Sequence, residues 1–375
     1  MGSSAASPSP SRAVRAGHGK GFVLIAVVYL LGLFIGALDT GIVTPARTVI
    51  QGDLGITDQM SVWIITVYTL AYAAAIPVMG KLADRSGRKR IYLVSIALFG
   101  AGSLLCGLAQ DVGSFWMLLG ARAVQAVGGG GIVPVATAEF GTTFPPEKRG
   151  LALGLVGGVY GIANIFGASA GSLMLSLFGQ TNWQFIFYVN VPICAAIVAV
   201  GVFVLPNTRA EEVKPIDGFG IAVLVTMVLA LLYGLKNLDF FDVGASVAST
   251  DVWPFLLAFV VLLPLFVLIE RRAADPVLNL SYFRNRDILV TLVLSVITGV
   301  ILMGIIFIPQ FAENVLKLPS GSGGYVVIVL AAFAGVGAPV SGKLIDRFGV
   351  KAVLAFGLAA SAAVALFLAL VATRF

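Results

Sequence analysis

Eleven stretches of this chain are apolar for about 20 residues each, the length that crosses the hydrocarbon of a bilayer. They run over roughly 22–46, 61–82, 91–109, 114–136, 151–178, 185–205, 217–235, 252–269, 288–311, 322–344 and 351–373. Lipid offers no partner to a backbone N–H or C=O, so such runs must be helices that satisfy their own hydrogen bonds. Composition agrees: 59% of residues are hydrophobic and 11% charged, where a soluble domain carries about 25% charged residues. The expected fold class is therefore an all-α polytopic membrane protein with eleven transmembrane helices. The head, MGSSAASPSPSRAVRAGHGK at 1–20, is small, Pro/Ser-rich and basic, and reads as a disordered tail. Cys106 and Cys194 both lie inside apolar runs, so no disulfide framework is expected. The one histidine, His18, is in the tail, which leaves the spans without a histidine for catalysis or for a metal.

Charge orients the helices. With the N-terminus in the cytoplasm, nineteen of the 24 Lys and Arg fall in the tail or in loops on the cytoplasmic side. Arg47, Lys236, Lys317 and Arg374 fall outside that set, and Arg122 lies within the fourth span. This is the positive-inside pattern. The net charge of +6 therefore reflects topology and implies no nucleic-acid partner.

The densest basic loop, GKLADRSGRKR at 80–90, joins the second and third spans. It also recurs: PVMGKLADRSGRK at 77–89 matches PVSGKLIDRFGVK at 339–351 at nine of thirteen positions. A topology anchor needs Lys and Arg in any order. It does not need Gly, Asp and Gly at fixed offsets behind Pro-Val, so the loop carries a second task. Two such segments in the same orientation point to two related bundles whose axis lies along the membrane normal.

GKLADRSGRKR resembles the signature loop of the major facilitator superfamily, in the same place. LLGARAVQAVGGGGIVP at 118–134 is similar to that family's fourth-helix motif, with Arg122, Gln125 and Gly128 in register and Ala126 where Gly is usual. LDTGIVTPA at 38–46, GIANIFGASAGS at 161–172 and WQFIFYVNVPI at 183–193 resemble motifs of the 14-helix drug:proton antiporters. Gly41, Thr44, Arg47, Ala168, Ser172 and Gln184 depart from the usual residues of those motifs. The resemblance implies a tail at 1–20, a six-helix bundle at 21–206, an inserted two-helix hairpin with linker at 207–271, and a second bundle at 272–375. That second bundle shows three of six expected helices, so the chain reads as C-terminally incomplete relative to the family (6 + 2 + 3 against 6 + 2 + 6), and on its own it is expected not to transport. The insert carries D-x-x-G at 217–220 and IERRAADP at 269–276.

Asp39 is the first candidate for chemistry, because an ionised side chain within a span is costly unless paired or solvated. Arg122 is its expected partner. Asp39 lies about seven residues from the outer end of its run and Arg122 about eight from the outer start of its own, so at about 1.5 Å per residue their depths match within a few Å. Gln125 lies one turn below Arg122 on the same face. A proton on Asp39 would break the pair and free Arg122; the plainer reading is that Arg122 only neutralises Asp39. In the cytoplasmic loop, Asp84 and Arg88 are four apart and would pair if the turn is helical, while Gly80 and Gly87 allow tight turns. The resemblance implies a cytoplasmic gate latch at Asp84, Arg85 and Arg88, and by the repeat at Gly342, Asp346, Arg347 and Gly349. The partner of the first latch is expected in a late helix of the second bundle, beyond Phe375. The small residues of the fifth span permit close packing, and the resemblance places Gly161, Gly167 and Gly171 at the bundle interface. Trp63, Tyr68, Tyr72, Tyr160, Asn164, Tyr188, Asn190 and Gln310 are candidate cavity residues; an aromatic cavity with one acid suits amphipathic cations, while Arg122 beside it leaves the substrate's charge open.

Two motifs that would signal other chemistry do not hold. GASAG at 167–171 has the spacing of a hydrolase nucleophile elbow, but it lies in a span rather than a strand-turn-helix, and no histidine is at hand. GAPVSGKL at 337–344 falls short of a phosphate-binding loop, with Leu344 where Ser or Thr must hold Mg²⁺. The expectation is a non-enzymatic secondary transporter of the plasma (inner) membrane, without cofactor or ATP-binding module. Its energy source would be the proton gradient, and its partners protons, lipid and a small amphipathic compound. The competing class is a receptor or lipid-handling scaffold on the same fold.

Overall fold

A computed structural model describes residues 20–206, 217–239, 242–273, 275–304, 317 and 323–372. The tail at 1–19, the start of the linker (207–216) and Gln310 lie outside the described residues. No strand occurs among the described residues. The helices are α1 (Lys20–Ile42), α2 (Arg47–Asp53), α3 (Asp58–Ser86), α4 (Arg88–Val112), α5 (Phe115–Thr143), α6 (Arg149–Phe178), α7 (Phe185–Tyr188), α8 (Asn190–Val204), α9 (Gly218–Lys236), α10 (Val243–Val247), α11 (Trp253–Arg272), α12 (Arg286–Gly304), α13 (Gly323–Phe348) and α14 (Val350–Ala372). Eight helices among the described residues are long and apolar enough to cross a membrane, nine if α6 counts as one span.

Local chemistry sets the ends. Thr57 caps α3 by accepting from Met60 N at 3.3 Å, and Ser114 caps α5 by accepting from Met117 N at 3.3 Å. The first apolar run breaks after Ile42 and resumes as α2, so the first helix is shorter than the run suggested. The basic loop breaks as well: Gly87, at φ +95°, ends α3 and starts α4.

α5 sits at the centre of the first bundle, and its four-glycine run explains why. A Cβ on Gly128 would collide with the Phe99 and Ser95 backbone of α4. One on Gly130 would lie 2.7 Å from Tyr72 O and 2.8 Å from Ala75 Cβ of α3. Without side chains, the two neighbouring backbones close on α5 from both sides, as small residues permit in lipid, where packing drives association. Tyr29, Tyr92, Ile96, Phe99, Ile132, Phe140 and Cys194 fill the cytoplasmic half of this core. Ile42, Ile50, Ile64, Leu118, Trp183 and Phe187 fill the outer half.

The glycines of α6 divide between two neighbours. Gly167 and Gly171 lie against α1, where a Cβ on Gly167 would stand 2.6 Å from Leu38 O and one on Gly171 would strike Ile42 O. Both therefore pack within the first bundle, which corrects their expected place at the bundle interface. The contact with α13 uses the cytoplasmic half of α6. A Cβ on Gly154 would lie 2.6 Å from Ala338 O, and Gly150 abuts Gly342. Gly161 does face α13, with Ala334 Cβ 3.9 Å from its would-be Cβ.

Candidate functional site

Asp39 and Arg122 meet as their depths required. Arg122 Nη1 donates to Asp39 Oδ2 at 2.7 Å, and both residues are 1% exposed. Gln125 joins them: its Oε1 accepts from Arg122 Nη1 at 2.6 Å and its Nε2 donates to Asp39 Oδ1 at 2.9 Å. Asn190, at the start of α8, donates to the same Oδ1 at 3.1 Å. Asp39 thus accepts from α5 twice and from α8 once, so one carboxylate ties three helices together. The buried hydroxyl of Ser103 on α4 accepts from Gln125 Nε2 at 2.8 Å and donates to Phe99 O at 2.8 Å. Gly102 lets α4 come this close, because a Cβ there would run into the backbone of Gln125.

Arg122 has partners besides Asp39. Its Nε donates to Ile64 O at 3.4 Å, and its guanidinium lies 4.0 Å above the Tyr68 ring and 5.7 Å from the Phe187 ring. A cation so placed is held by ring quadrupoles in a water-poor setting. The Tyr68 hydroxyl is buried and has no hydrogen-bond partner among the described residues.

A second polar chain starts one residue away. Thr40 Oγ1 lies 2.5 Å from Asn164 Oδ1 and 2.6 Å from Ala37 O. Asn164 Nδ2 donates to Tyr160 O at 3.0 Å. Tyr72 stacks on Tyr68 with centroids 5.9 Å apart. Asn190 thus touches Asp39 itself, Tyr68 lies over its partner Arg122 with Tyr72 stacked behind, and Asn164 meets the adjacent Thr40.

Trp63 and Tyr188 do not join that group. Trp63 stacks on Tyr233 of α9 at 5.8 Å, with Lys236 Nζ 5.1 Å from its ring, so it packs against α9. Tyr188 packs on Gly107 and reaches Asp111 Oδ2 at 3.4 Å.

At the cytoplasmic face the expected Asp84–Arg88 pair is absent. The Gly87 break places the two residues on different helices, which removes the i,i+4 geometry. Arg88 turns to α5 instead, reaching Glu139 Oε2 at 3.4 Å and Thr142 Oγ1. Asp84 is exposed. It lines a small pocket with Lys81, Asp275, Pro276, Val277, Asn279 and Tyr282. Lys81 Nζ bridges that pocket, 2.6 Å from Asp275 Oδ1 and 2.9 Å from Pro276 O. Lys81 of the first repeat loop thus has a partner within the chain, just past the end of α11. In the second loop, Asp346 Oδ1 accepts from Gly150 N at 2.8 Å and Oδ2 from Leu151 N at 2.9 Å, capping the N-terminus of α6.

Ser103, Glu139, Lys81 and Asp275 escaped the sequence reading. Glu139 carried a signal, as an acid close to an apolar run; Ser103 carried none.

Comparison with known proteins matches residues 29–374 to the family model of the Major Facilitator Superfamily. The chain is 37% identical over 345 residues to the uncharacterized MFS-type transporter YfiU of Bacillus subtilis, covering 91% of this chain and 66% of that protein. It is 30% identical to Multidrug resistance protein 3 of Bacillus subtilis, over 86% of this chain and 60% of that protein. It is 32% identical to the Tetracenomycin C resistance and export protein of Streptomyces glaucescens, over 91% and 61%. The chain thus spans less than two thirds of the length of each of these relatives. Among solved structures, the xylose transporter XylE from E. coli, in a partially occluded inward-open conformation, shares the fold. Its TM-score is 0.52 at 13% identity, covering 95% of this chain and 92% of that one.

Proposed function

The chain belongs to the major facilitator superfamily, a family of multi-pass membrane transporters rather than enzymes, and from that premise we propose proton-coupled export of small amphipathic compounds by alternating access. The observation that carries the reading is the asymmetry of the buried pair. A proton on Asp39 neutralises the acceptor of Arg122, yet Arg122 keeps Gln125 Oε1, Ile64 O and the Tyr68 face. The cation can therefore remain in place, or turn towards a substrate, while the carboxyl that joins α1, α5 and α8 changes charge. A merely structural ion pair needs no such second set of partners.

Tyr72, Tyr160 and Asn164 are half-buried beside the pair and supply hydroxyls, an amide and ring faces. That surface suits an amphiphile with a planar apolar body and a few polar groups. The outward direction rests on the relatives, whose names include multidrug resistance and export proteins. On this reading the protein works in the plasma membrane, on protons and its substrate, with the proton gradient as energy source and no ATP module.

The test is flux in proteoliposomes of the intact protein. An imposed pH gradient should drive efflux of an amphiphilic dye, and Asp39→Asn should remove the gradient dependence while insertion and folding persist. Efflux that ignores the gradient in the wild type, or coupling that survives Asp39→Asn, contradicts the reading.

A further inference from the structure

The inserted hairpin carries two motif acids that the Asp39 site does not use. Asp217, of D-x-x-G, caps α9: its Oδ1 accepts from Gly220 N at 2.8 Å. Glu270 lies in the last turn of α11 and is 3% exposed; its Oε2 accepts from Leu278 N at 3.1 Å. The remaining oxygens, Asp217 Oδ2 and Glu270 Oε1, are both buried, and neither has a hydrogen-bond partner among the described residues. They face the same point. A Cβ on Gly220 would strike Asp217 Oδ2 and stand 3.1 Å from Glu270 Oε1, so the glycine leaves room for the two carboxyls to approach.

The charges around them do not resolve the conflict. From α3 comes Lys81, whose Nζ is already held by Asp275 Oδ1 and Pro276 O. Asp84 of α3 and Asp275 line the adjoining pocket and add negative charge. On α11 itself, Arg271 and Arg272 are exposed. A buried carboxylate and a half-buried one side by side repel one another, and the C-terminal end of a helix disfavours an anion. One proton relieves both problems and gives the two orphan oxygens a partner, because a protonated carboxyl donates a hydrogen bond that the other accepts.

We propose that Asp217 and Glu270 form a proton-binding dyad, one proton held between Asp217 Oδ2 and Glu270 Oε1 at the cytoplasmic base of the insert. The site is separate from Asp39–Arg122 and stands whether or not the transport reading does. It also has a mechanical consequence. Glu270 holds the backbone at 278, and Asp275 and Pro276 hold Lys81 of the first repeat loop. Loss of the proton makes both acids anionic, drives Glu270 off Asp217 and slackens the strap over 275–278. Rising cytoplasmic pH thereby unclasps the insert from the loop GKLADRSGRKR.

Infrared difference spectroscopy on the full 375-residue chain in nanodiscs tests this directly. The wild type should show the C=O stretch of a protonated carboxyl that fades as pH rises. Subtracting the Glu270→Gln spectrum should isolate that band, and Asp217→Asn should shift it; Asp39 is common to all three and cancels. A proton bound by the folded chain stabilises it, so the wild-type melting temperature should fall as pH rises. Glu270→Gln, with a permanent amide donor, should flatten that dependence. Should Glu270→Gln not fold, the Asp217→Asn difference spectrum still reads the shift of the band. The absence of any band sensitive to either residue, at every pH where the chain is folded, overturns the proposal. So does a melting temperature that rises with Na⁺, K⁺ or Ca²⁺ at fixed pH in the wild type alone without a carboxyl band, which would make the pair a metal-cation site.

Discussion

The Asp39–Arg122 pair predicts strongly unequal and non-additive costs in a double-mutant cycle. Removing one partner of a buried pair leaves an uncompensated charge and costs about 3–5 kcal/mol. The structure orders the two single variants. Asp39→Asn leaves Arg122 with Gln125 Oε1, Ile64 O and a tyrosine face at 4.0 Å. A desolvated cation–π contact contributes about 2 kcal/mol by itself, so this variant belongs near 3 kcal/mol, roughly a hundredfold in the folding equilibrium. Arg122→Gln leaves the Asp39 carboxylate with two neutral amides, Gln125 and Asn190, and no cation. It belongs near the upper end, about 5 kcal/mol. The double variant places neutral amides in both positions and leaves no buried charge, so its loss should be smaller than that of Arg122→Gln alone. The coupling should then be several kcal/mol, well beyond the about 0.5 kcal/mol within which independent sites add. Unfolding in detergent, followed by tryptophan fluorescence, reads all four corners of the cycle. If the two losses simply add, or if Asp39→Asn proves the worse single change, the pair does not govern the energetics of this site and the reserve partners of Arg122 have no importance.

Other substitutions separate close packing from open space and latch from anchor. Gly102→Ala pushes a methyl into the Gln125 backbone and should lower stability by about 1–3 kcal/mol, whereas Gly120→Ala, with nothing within 4 Å of its would-be Cβ, should gain up to about 1 kcal/mol; paired thermal melts decide. Asp346→Ala removes the cap on α6 and should cost about 1 kcal/mol, with increased cross-linking access at the Gly150–Gly342 contact as the readout. Lys81→Ala breaks a pair whose side chains are 18% and 24% exposed, so its effect on global stability should stay within about 1 kcal/mol, while spin-label distances between α3 and the segment at 275–279 should broaden.

The sequence revealed what depends on helical rise and hid what depends on turns and backbone groups. Asp39 and Arg122 could be matched because a fixed rise per residue converts chain position into membrane depth. Gln125 followed from helical phase. The Ile64 carbonyl, the Ser103 hydroxyl and the Tyr68 face were not legible, because backbone and small polar groups leave no pattern of their own. The Asp84–Arg88 pairing failed at a single residue: Gly87 adopts φ +95° and splits one expected helical turn into two helix ends. Trp63 is a cavity candidate by its aromatic character, yet its face turns to Tyr233 of α9, and nothing at 61–82 fixes that rotation. Most glycines of the fifth span are close-packing positions, though Gly157 faces open space. Which neighbour each one meets needs the rotation of α6, and that divides Gly167 and Gly171 from Gly161.

The two copies of the repeat share nine of thirteen residues and still make different contacts. Asp346 caps α6 through Gly150 and Leu151, whereas its counterpart Asp84 is exposed and the neighbouring Lys81 engages the exit of the hairpin. A shared motif therefore specifies a presented carboxylate and a tight glycine turn; the helix end that happens to lie opposite decides what the carboxylate does. The strength of the engaged copy is also informative. Asp346 is exposed, and an N-cap carboxylate contributes about 1 kcal/mol, or 2 kcal/mol at most. One elementary charge crossing 100 mV supplies about 2.3 kcal/mol. On the proposed function, a latch of this strength biases the contact between α6 and α13 and still yields to the drive of a single proton. A deeply buried ion pair of several kcal/mol in the same position would hold the contact shut against that drive. On the proposed function, the buried pair belongs at Asp39, where charge is to be exchanged, and the weak, solvated cap belongs at the cytoplasmic end, where the helices must part.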